Sequence, residues 1–253
     1  MSLTKHTLTL ANERKDVPEV FYSLQGEGPE TGRPSIFVRL SLCNLTCVWC
    51  DTPYTWNWDD KNLQHESEQR YRREDEQSLL SFDELTRLSL QHACSNFVIT
   101  GGEPMVQFKK LEKWFAHVRE ARPGATFDIE TNATIVPSDG FDAFVARYVC
   151  SPKLSNSKVA EEDRIVPKAM DFFAANERAV FKFVIGTEKD LEEVHTLAKS
   201  YGIKASRIFL MPLGTTDHET KLHHAWISEL CLKHGYRFSP RLHLSLYGDG
   251  RGV

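Results

Sequence analysis

Apolar and β-branched residues gather along the chain in short runs separated by longer stretches of helical period. The runs are residues 35–42 (SIFVRLSL), 96–100 (NFVIT), 126–131 (TFDIET), 147–150, 180–185 (VFKFVI) and 207–211 (RIFLM). Each reads as a strand, and strands that alternate with helices argue for parallel βαβ units. Residues 106–121, 189–201 and 216–233 carry the helical pattern between them. Ser81 with Glu84 three residues on has the form of a capping box, so a helix should start there. Gly202 is placed to stop the helix before it. Six parallel strands are too few to close an eight-stranded barrel. The expected fold class is therefore α/β: a partial, open TIM-like barrel of about six parallel strands with outer helices. Residues 19–28 are expected to pair at an edge or cover the mouth, and residues 237–246 to add one more extended stretch. The chain shows no internal repeat.

The chain has 253 residues, 41% hydrophobic and 26% charged, which suits one domain spanning 1–253 with a large core. Its formal net charge of -4 gives no basic footprint, so nucleic acid is not an expected partner. No apolar run reaches the roughly 18 residues of a membrane-spanning helix. Residues 1–15 are polar and lack the apolar core of a signal peptide, so the expected location is the cytoplasm. One stretch reads as an insertion near 57–80. Eleven of the eighteen residues from 59 to 76 are charged, which reads as a solvated loop or exposed helix, with a partner surface as the rival reading.

Six cysteines in such a chain point to metal ligands or buried thiols before disulfides. Cys94, Cys150 and Cys231 stand alone in apolar surroundings and read as core packing. Cys43, Cys47 and Cys50 fall within eight residues, directly after the first strand. Catalytic loops gather at that end of a barrel. Thiolates suit zinc or an iron–sulfur cluster. A structural zinc would want a fourth protein ligand, for which His65 is the nearest candidate. A four-iron cluster held at three corners would instead leave one iron open to an outside ligand.

Other strand ends carry polar or conformationally special residues. Thr100-Gly101-Gly102-Glu103-Pro104 follows the second strand, and its paired glycines would let backbone approach a ligand. Ser151-Pro152-Lys153 closes the fourth strand and Met211 the sixth. Lys153 could equally be a solvated lysine and Met211 a core residue. Glu130-Thr131-Asn132 ends the third strand as a polar contact. Arg39 lies inside an apolar strand, where a guanidinium is costly unless paired. A substrate carboxylate would satisfy it in bidentate fashion; the internal alternative is Glu27 or Asp51. Thr52 reads as a turn or helix-cap residue, or as a hard oxygen ligand for Mg2+.

The spacing C-x3-C-x2-C, with Trp49 before the last cysteine, resembles the radical S-adenosylmethionine (SAM) superfamily. Residues 24–28 (LQGEG), Arg39, Asp51-Thr52 and the TGGEP stretch narrow the resemblance to the 7-carboxy-7-deazaguanine synthase family, over about residues 21–243. That resemblance implies a [4Fe-4S] cluster on Cys43, Cys47 and Cys50. It implies SAM contacts from Trp49, Gly102, Ser151, Pro152, Lys153 and Met211. The pterin substrate would be held by Leu24, Gln25, Gly26, Arg39 and Thr100. His243 is assigned to the substrate too, against a satisfied core or surface histidine. Thr52 would ligate Mg2+. The implied reaction converts 6-carboxy-5,6,7,8-tetrahydropterin to 7-carboxy-7-deazaguanine and ammonia, a step of queuosine and other 7-deazapurine biosynthesis. It starts with hydrogen abstraction at C6 by a 5′-deoxyadenosyl radical, and SAM is regenerated. A homodimer and an external electron donor such as a flavodoxin are implied as well. The rivals are a glycyl-radical-enzyme activase acting on a protein and a zinc-stabilised binding protein. The chain departs from shorter family members over residues 55–80, and residues 248–253 match no substrate contact.

Overall fold

The computed structural model of the protein describes residues 6–59 and 64–253. The described strands all join one sheet. They are β1 (Thr7–Arg14), β2 (Val17–Pro18), β3 (Val20–Leu24), β4 (Pro34–Leu40), β5 (Gln77–Ser81) and β6 (Asn96–Gly101). They continue with β7 (Thr126–Thr131), β8 (Val145–Cys150), β9 (Ala179–Ile185), β10 (Ile208–Pro212) and β11 (Arg237–Phe238). The order is β11-β10-β9-β8-β7-β6-β4-β1-β2, with β3 also on β4 and β5 on β1. Every pairing from β4 through β6 to β11 is parallel, while β1 and β3 run antiparallel to β4. The sheet does not close on itself, as six long parallel strands require.

Register sets the site. Leu40 lies opposite Gly101, Thr131 opposite Cys150, and Ile185 opposite Pro212. The parallel strands therefore end level, and the loops after them share one mouth. Period-two alternation then divides the side chains. Phe97, Ile99, Phe127 and Ile129 point outward, where Leu111, Trp114, Phe115 and Val118 of the helix Phe108–Ala121 meet them. Those four helix positions follow the i, i+3, i+4, i+7 stripe that covers a sheet. Phe115 stacks on Phe127 at 4.0 Å between ring centroids. Each such ring contributes about 1.5–3 kcal/mol by burial. The Trp114 indole N–H donates to Thr86 Oγ1 at 3.0 Å, so this buried donor is satisfied. Arg39, Thr100, Glu130 and Lys182 alternate to the other face and line the inside of the partial barrel.

The six expected strands correspond to β4 and β6–β10. The capping box at Ser81 and Glu84 is formed, and Gly202 ends the helix Glu188–Ser200 with φ +64°. Residues 19–28 pair as expected, through β3 on β4. Residues 237–246 do not form an extended stretch. Only Arg237–Phe238 joins the sheet, and Leu242–Tyr247 is helical, with Leu242 N–H donating to Gly26 O at 2.9 Å. β1 had no strand expectation. Its Leu8 and Leu10 are fully buried, but they find their partners in β5, about seventy residues away. Cys150 and Cys231 are core residues, whereas Cys94 is half-buried in the loop before β6. Of the charged stretch 59–76, residues 60–63 lie outside the described residues. No described helix is long and apolar enough to cross a membrane.

Candidate functional site

The level strand ends enclose a cavity of about 610 Å³. That lies within the range of small-molecule sites. β4 leaves the sheet through Leu42, whose φ of +80° turns the chain across the mouth and presents Cys43, Cys47 and Cys50 to the cavity. Leu42 holds this unusual conformation by donating its N–H to Thr55 O at 3.0 Å and accepting from Glu103 N–H at 2.8 Å.

The paired glycines make room for the chain's own backbone. A Cβ on Gly101 would strike the Leu40 backbone, and one on Gly102 the Leu42 carbonyl. Gly101 also sits at φ +137°. The missing side chains therefore let β6 close against the end of β4, which places the cysteine loop. Gly102 still borders the cavity. Glu103 is buried and braces the next strand. It accepts from Met105 N–H at 2.9 Å, Thr131 Oγ1–H at 2.8 Å and Asn132 N–H at 2.6 Å. Burial raises its carboxyl above the ordinary range against those donors.

The three thiols are shielded. Burial raises Cys43, raises Cys47 to about 11, and raises Cys50 with help from Asp51. Binding them as thiolates must release protons. Donors already aim at two of the sulfurs: Leu45 N–H to Cys43 Sγ at 3.4 Å, and Trp56 Nε1–H to Cys50 Sγ at 3.3 Å. Among the described residues no three His, Cys, Asp or Glu side chains converge on one point as a single metal ion would require. Three closely spaced thiols on one loop are the donor set of an iron–sulfur cluster. His65 is no fourth zinc ligand. Its Nε2–H donates to Cys50 O at 2.9 Å while its Nδ1 accepts from Ser67 N–H at 3.0 Å, so both ring nitrogens are used.

Around the cysteines stand the expected cofactor residues. Trp49 donates to Asn156 Oδ1 at 3.2 Å, and Lys153 Nζ lies 5.4 Å over its ring. Lys153 also donates to Ser151 Oγ at 3.1 Å, so it is part of the cavity wall and not a free surface lysine. Met211 is buried and borders the cavity. Pro152 does not border it. It is buried behind Ser151 and Lys153, which face the cavity on either side of it.

A polar group fills the deeper wall. Glu130 accepts from Gln25 Nε2–H at 3.0 Å and from Thr100 Oγ1–H at 2.9 Å. Leu24 and Gly26 border the same space. A Cβ on Gly26 would collide with the ring and backbone of His243, so the glycine lets the helix Leu242–Tyr247 seat there. Burial lowers His243, which keeps its ring neutral. Arg39 does not pair with Glu27 or Asp51. Its Nε donates at 2.7 Å to Glu19, which also accepts from Tyr54 Oη–H at 2.9 Å. Glu19 reaches it because β3 runs back along β4. The Arg39 side chain keeps 19% exposure toward the cavity. Thr52 precedes a short 3-10 turn but does not cap it, and its hydroxyl lies 3.6 Å from Cys50 Sγ.

Several pairings in the site were not foreseen. Glu27 is paired with Lys182 and, at 3.1 Å, with Arg241 Nε; Arg241 reaches on to Asp51 and the Gly214 carbonyl. Burial would raise Glu27, but Lys182 and Arg241 outweigh it and hold the carboxylate ionised. Lys182 carried the same signal as Arg39, a lone charge in an apolar strand. Arg241 carried none. Residues 66–70 of the charged stretch are exposed, as a solvated loop should be, yet His65, Ser67, Gln69 and Tyr71 also border the cavity, so the stretch forms part of the site wall as well.

The radical SAM superfamily pattern matches residues 38–152. A 7-carboxy-7-deazaguanine synthase of Pyrobaculum aerophilum is 34% identical over 246 residues, covering 96% of this chain and 99% of that protein. One of Hyperthermus butylicus is 35% identical over 90% of this chain and 91% of its own. The crystal structure of QueE from Escherichia coli superposes with a TM-score of 0.61 at 25% identity, covering 91% of this chain and 95% of that one.

Proposed function

The chain belongs to the 7-carboxy-7-deazaguanine synthase family of radical SAM enzymes, and from that premise we propose how its cavity carries the reaction. The reaction is the conversion of 6-carboxy-5,6,7,8-tetrahydropterin to 7-carboxy-7-deazaguanine with loss of ammonia. The observation that carries the assignment of roles is the meeting of the cysteine loop with Gln25, Thr100, Glu130 and Arg39 in one cavity.

Cys43, Cys47 and Cys50 would hold the [4Fe-4S] cluster, with its fourth iron left for SAM. Bound there, cluster and SAM supply a 5′-deoxyadenosyl radical to take the hydrogen at substrate C6. Every other task falls to the chain itself. Trp49, Gly102, Ser151, Lys153 and Met211 would form the SAM wall, with Pro152 shaping the loop from behind. Lys153 brings a cation for the SAM carboxylate. Leu24, Gln25, Gly26, Thr100 and His243 would hold the pterin. The Glu130 carboxylate orients the Gln25 amide and the Thr100 hydroxyl, which fixes what each can offer a flat heterocycle. Arg39, anchored on Glu19, would present the outer edge of its guanidinium to the substrate carboxylate. Thr52 would add a hard oxygen to Mg2+ beside that carboxylate. Glu27, kept ionised, supplies an acceptor for the amino groups of the pterin. Burial of these groups keeps water from a reactive radical.

The family also supports a homodimer and an external electron donor such as a flavodoxin. The absence of disulfides among the described cysteines supports a reducing, cytoplasmic setting. We read residues 1–253 as one domain. The deciding experiment is anaerobic incubation of reconstituted protein with the carboxypterin, SAM and a reductant, with products read by mass. The carboxydeazaguanine and ammonia should appear together. Cluster-loaded protein that leaves the pterin unchanged while cleaving SAM would overturn the substrate assignment.

A further inference from the structure

The cluster cysteines do not have equivalent surroundings. Trp56 is 2% exposed, and its indole N–H points at Cys50 Sγ at 3.3 Å. The Thr52 hydroxyl lies 3.6 Å from the same sulfur. Cys43 Sγ receives a backbone N–H, and no described side-chain N–H donates to the Cys43 or Cys47 sulfur.

An indole N–H is a donor only and does not titrate. Buried, it is costly if left without an acceptor. Cys50 Sγ is the acceptor this structure gives it. A neutral thiol is a weak acceptor, whereas a thiolate carrying part of a cluster's charge is a strong one. The bond therefore gains most when negative charge on the sulfur is greatest, which is after reduction. Hydrogen bonds to ligand sulfurs are among the determinants of an iron–sulfur potential. The surroundings fix the donor in place. The Trp56 backbone N–H donates to Pro53 O at 3.1 Å, and its ring meets the His65 ring edge-on at 6.0 Å. His65 in turn holds the Cys50 carbonyl.

We propose that Trp56 is a positioning residue that raises the reduction potential of the cluster by donating its indole N–H to the Cys50 sulfur. The inference rests on the cluster reading of Cys43, Cys47 and Cys50 and adds a residue to it. Trp56 easily passes for core aromatic in sequence, since nothing near it marks a polar partner.

The test is Trp56→Phe, which keeps an aromatic ring and removes the N–H. Trp58→Phe is the control, because the Trp58 indole donates to Tyr54 O at 2.9 Å and not to a sulfur. Both proteins are reconstituted anaerobically, assayed for iron and sulfide, and titrated potentiometrically with the reduced cluster read by electron paramagnetic resonance. Trp56→Phe should load fully and show a roughly tenfold smaller equilibrium constant for reduction, a fall of about 59 mV for one electron. Trp58→Phe should leave the potential where it was. An unmoved potential in fully loaded Trp56→Phe, or an equal fall in both variants, overturns the proposal while leaving the function intact. If Trp56→Phe does not load, the Trp49→Phe protein carrying 15N-indole tryptophan decides. Hyperfine coupling to the reduced cluster supports the bond, and its absence overturns it. Failure of the unsubstituted protein to load any cluster would sink both this proposal and the reading beneath it.

Discussion

His65 donates its Nε2–H to the carbonyl oxygen of Cys50 at 2.9 Å. A residue from the charged stretch thereby holds the backbone of the last cysteine in the loop. Glu66 N–H adds a second tie to Val48 O at 2.8 Å. Replacing His65 by Ala should loosen the loop by about one hydrogen bond, roughly 1 kcal/mol. We expect about a fivefold loss in the equilibrium for cluster loading and faster bleaching in air. Iron and sulfide content, followed against time after exposure to oxygen, checks this. Loading and bleaching rates equal to those of the unsubstituted protein would show that the stretch merely lies nearby.

Gly26 is the seat of His243. Gly26→Ala must push the helix Leu242–Tyr247 outward, because the new methyl would meet both the imidazole and the backbone nitrogen. Pterin affinity should fall tenfold or more while cluster content and SAM binding stay near normal. Calorimetric titration of the two ligands separates these effects, and a parallel loss of both would contradict the placement.

Arg39 serves the fold as well as the substrate. Glu19 is 1% exposed, so removing Arg39 leaves a buried carboxylate with Tyr54 as its remaining side-chain partner among the described residues. Breaking a buried pair in this way costs about 3–5 kcal/mol. Arg39→Ala should therefore lower stability by that order in denaturant titration, and adding Glu19→Gln should recover a large part of it. Arg39→Lys should stay folded and instead raise the KM for the pterin, since an ammonium cannot match a carboxylate with two parallel donors. A stable, fully active Arg39→Ala protein would remove both roles.

Asp128 lies inside the partial barrel on β7, 5% exposed, and burial pushes its carboxyl up to about 6. A folded-state value above the unfolded one means that the folded protein binds more protons between about pH 4 and 6. Stability should therefore fall as pH rises through that window, by up to about 3 kcal/mol at 1.36 kcal/mol per unit. Asp128→Asn should flatten this slope and be the more stable protein at pH 7. Unfolding midpoints measured from pH 4 to pH 8 give the answer, and parallel curves for the two proteins would refute it.

The parallel strands were legible because β4 and β6–β10 are buried on both faces and read as apolar runs. Their level ends made the shared mouth legible too, and the cysteine loop, Thr100, Ser151, Lys153 and His243 all reach it. The strand β1 was not legible, since a polar-flanked run becomes a strand only through its partner far along the chain. The same holds for Arg241, whose role depends on three-dimensional neighbours at Glu27 and Asp51. The glycine pair was read as room for a ligand, whereas the room is also needed by the backbone at Leu40 and Leu42. Local sequence shows that side chains are missing, but not which neighbour fills the room. Glu19 was overlooked because the expected edge pairing of residues 19–28 does not by itself fix the register that brings Glu19 to Arg39.

Arg241 reaches back 214 residues to Glu27 and 190 to Asp51. On a ribosome the three thiols emerge early, yet the clamp that joins their loop to the barrel floor is made only after residue 241 has cleared the exit tunnel. Nascent chains would thus display bare sulfhydryls without a finished pocket. Loading of a finished pocket should therefore wait until Arg241 has been made and has met Glu27 and Asp51.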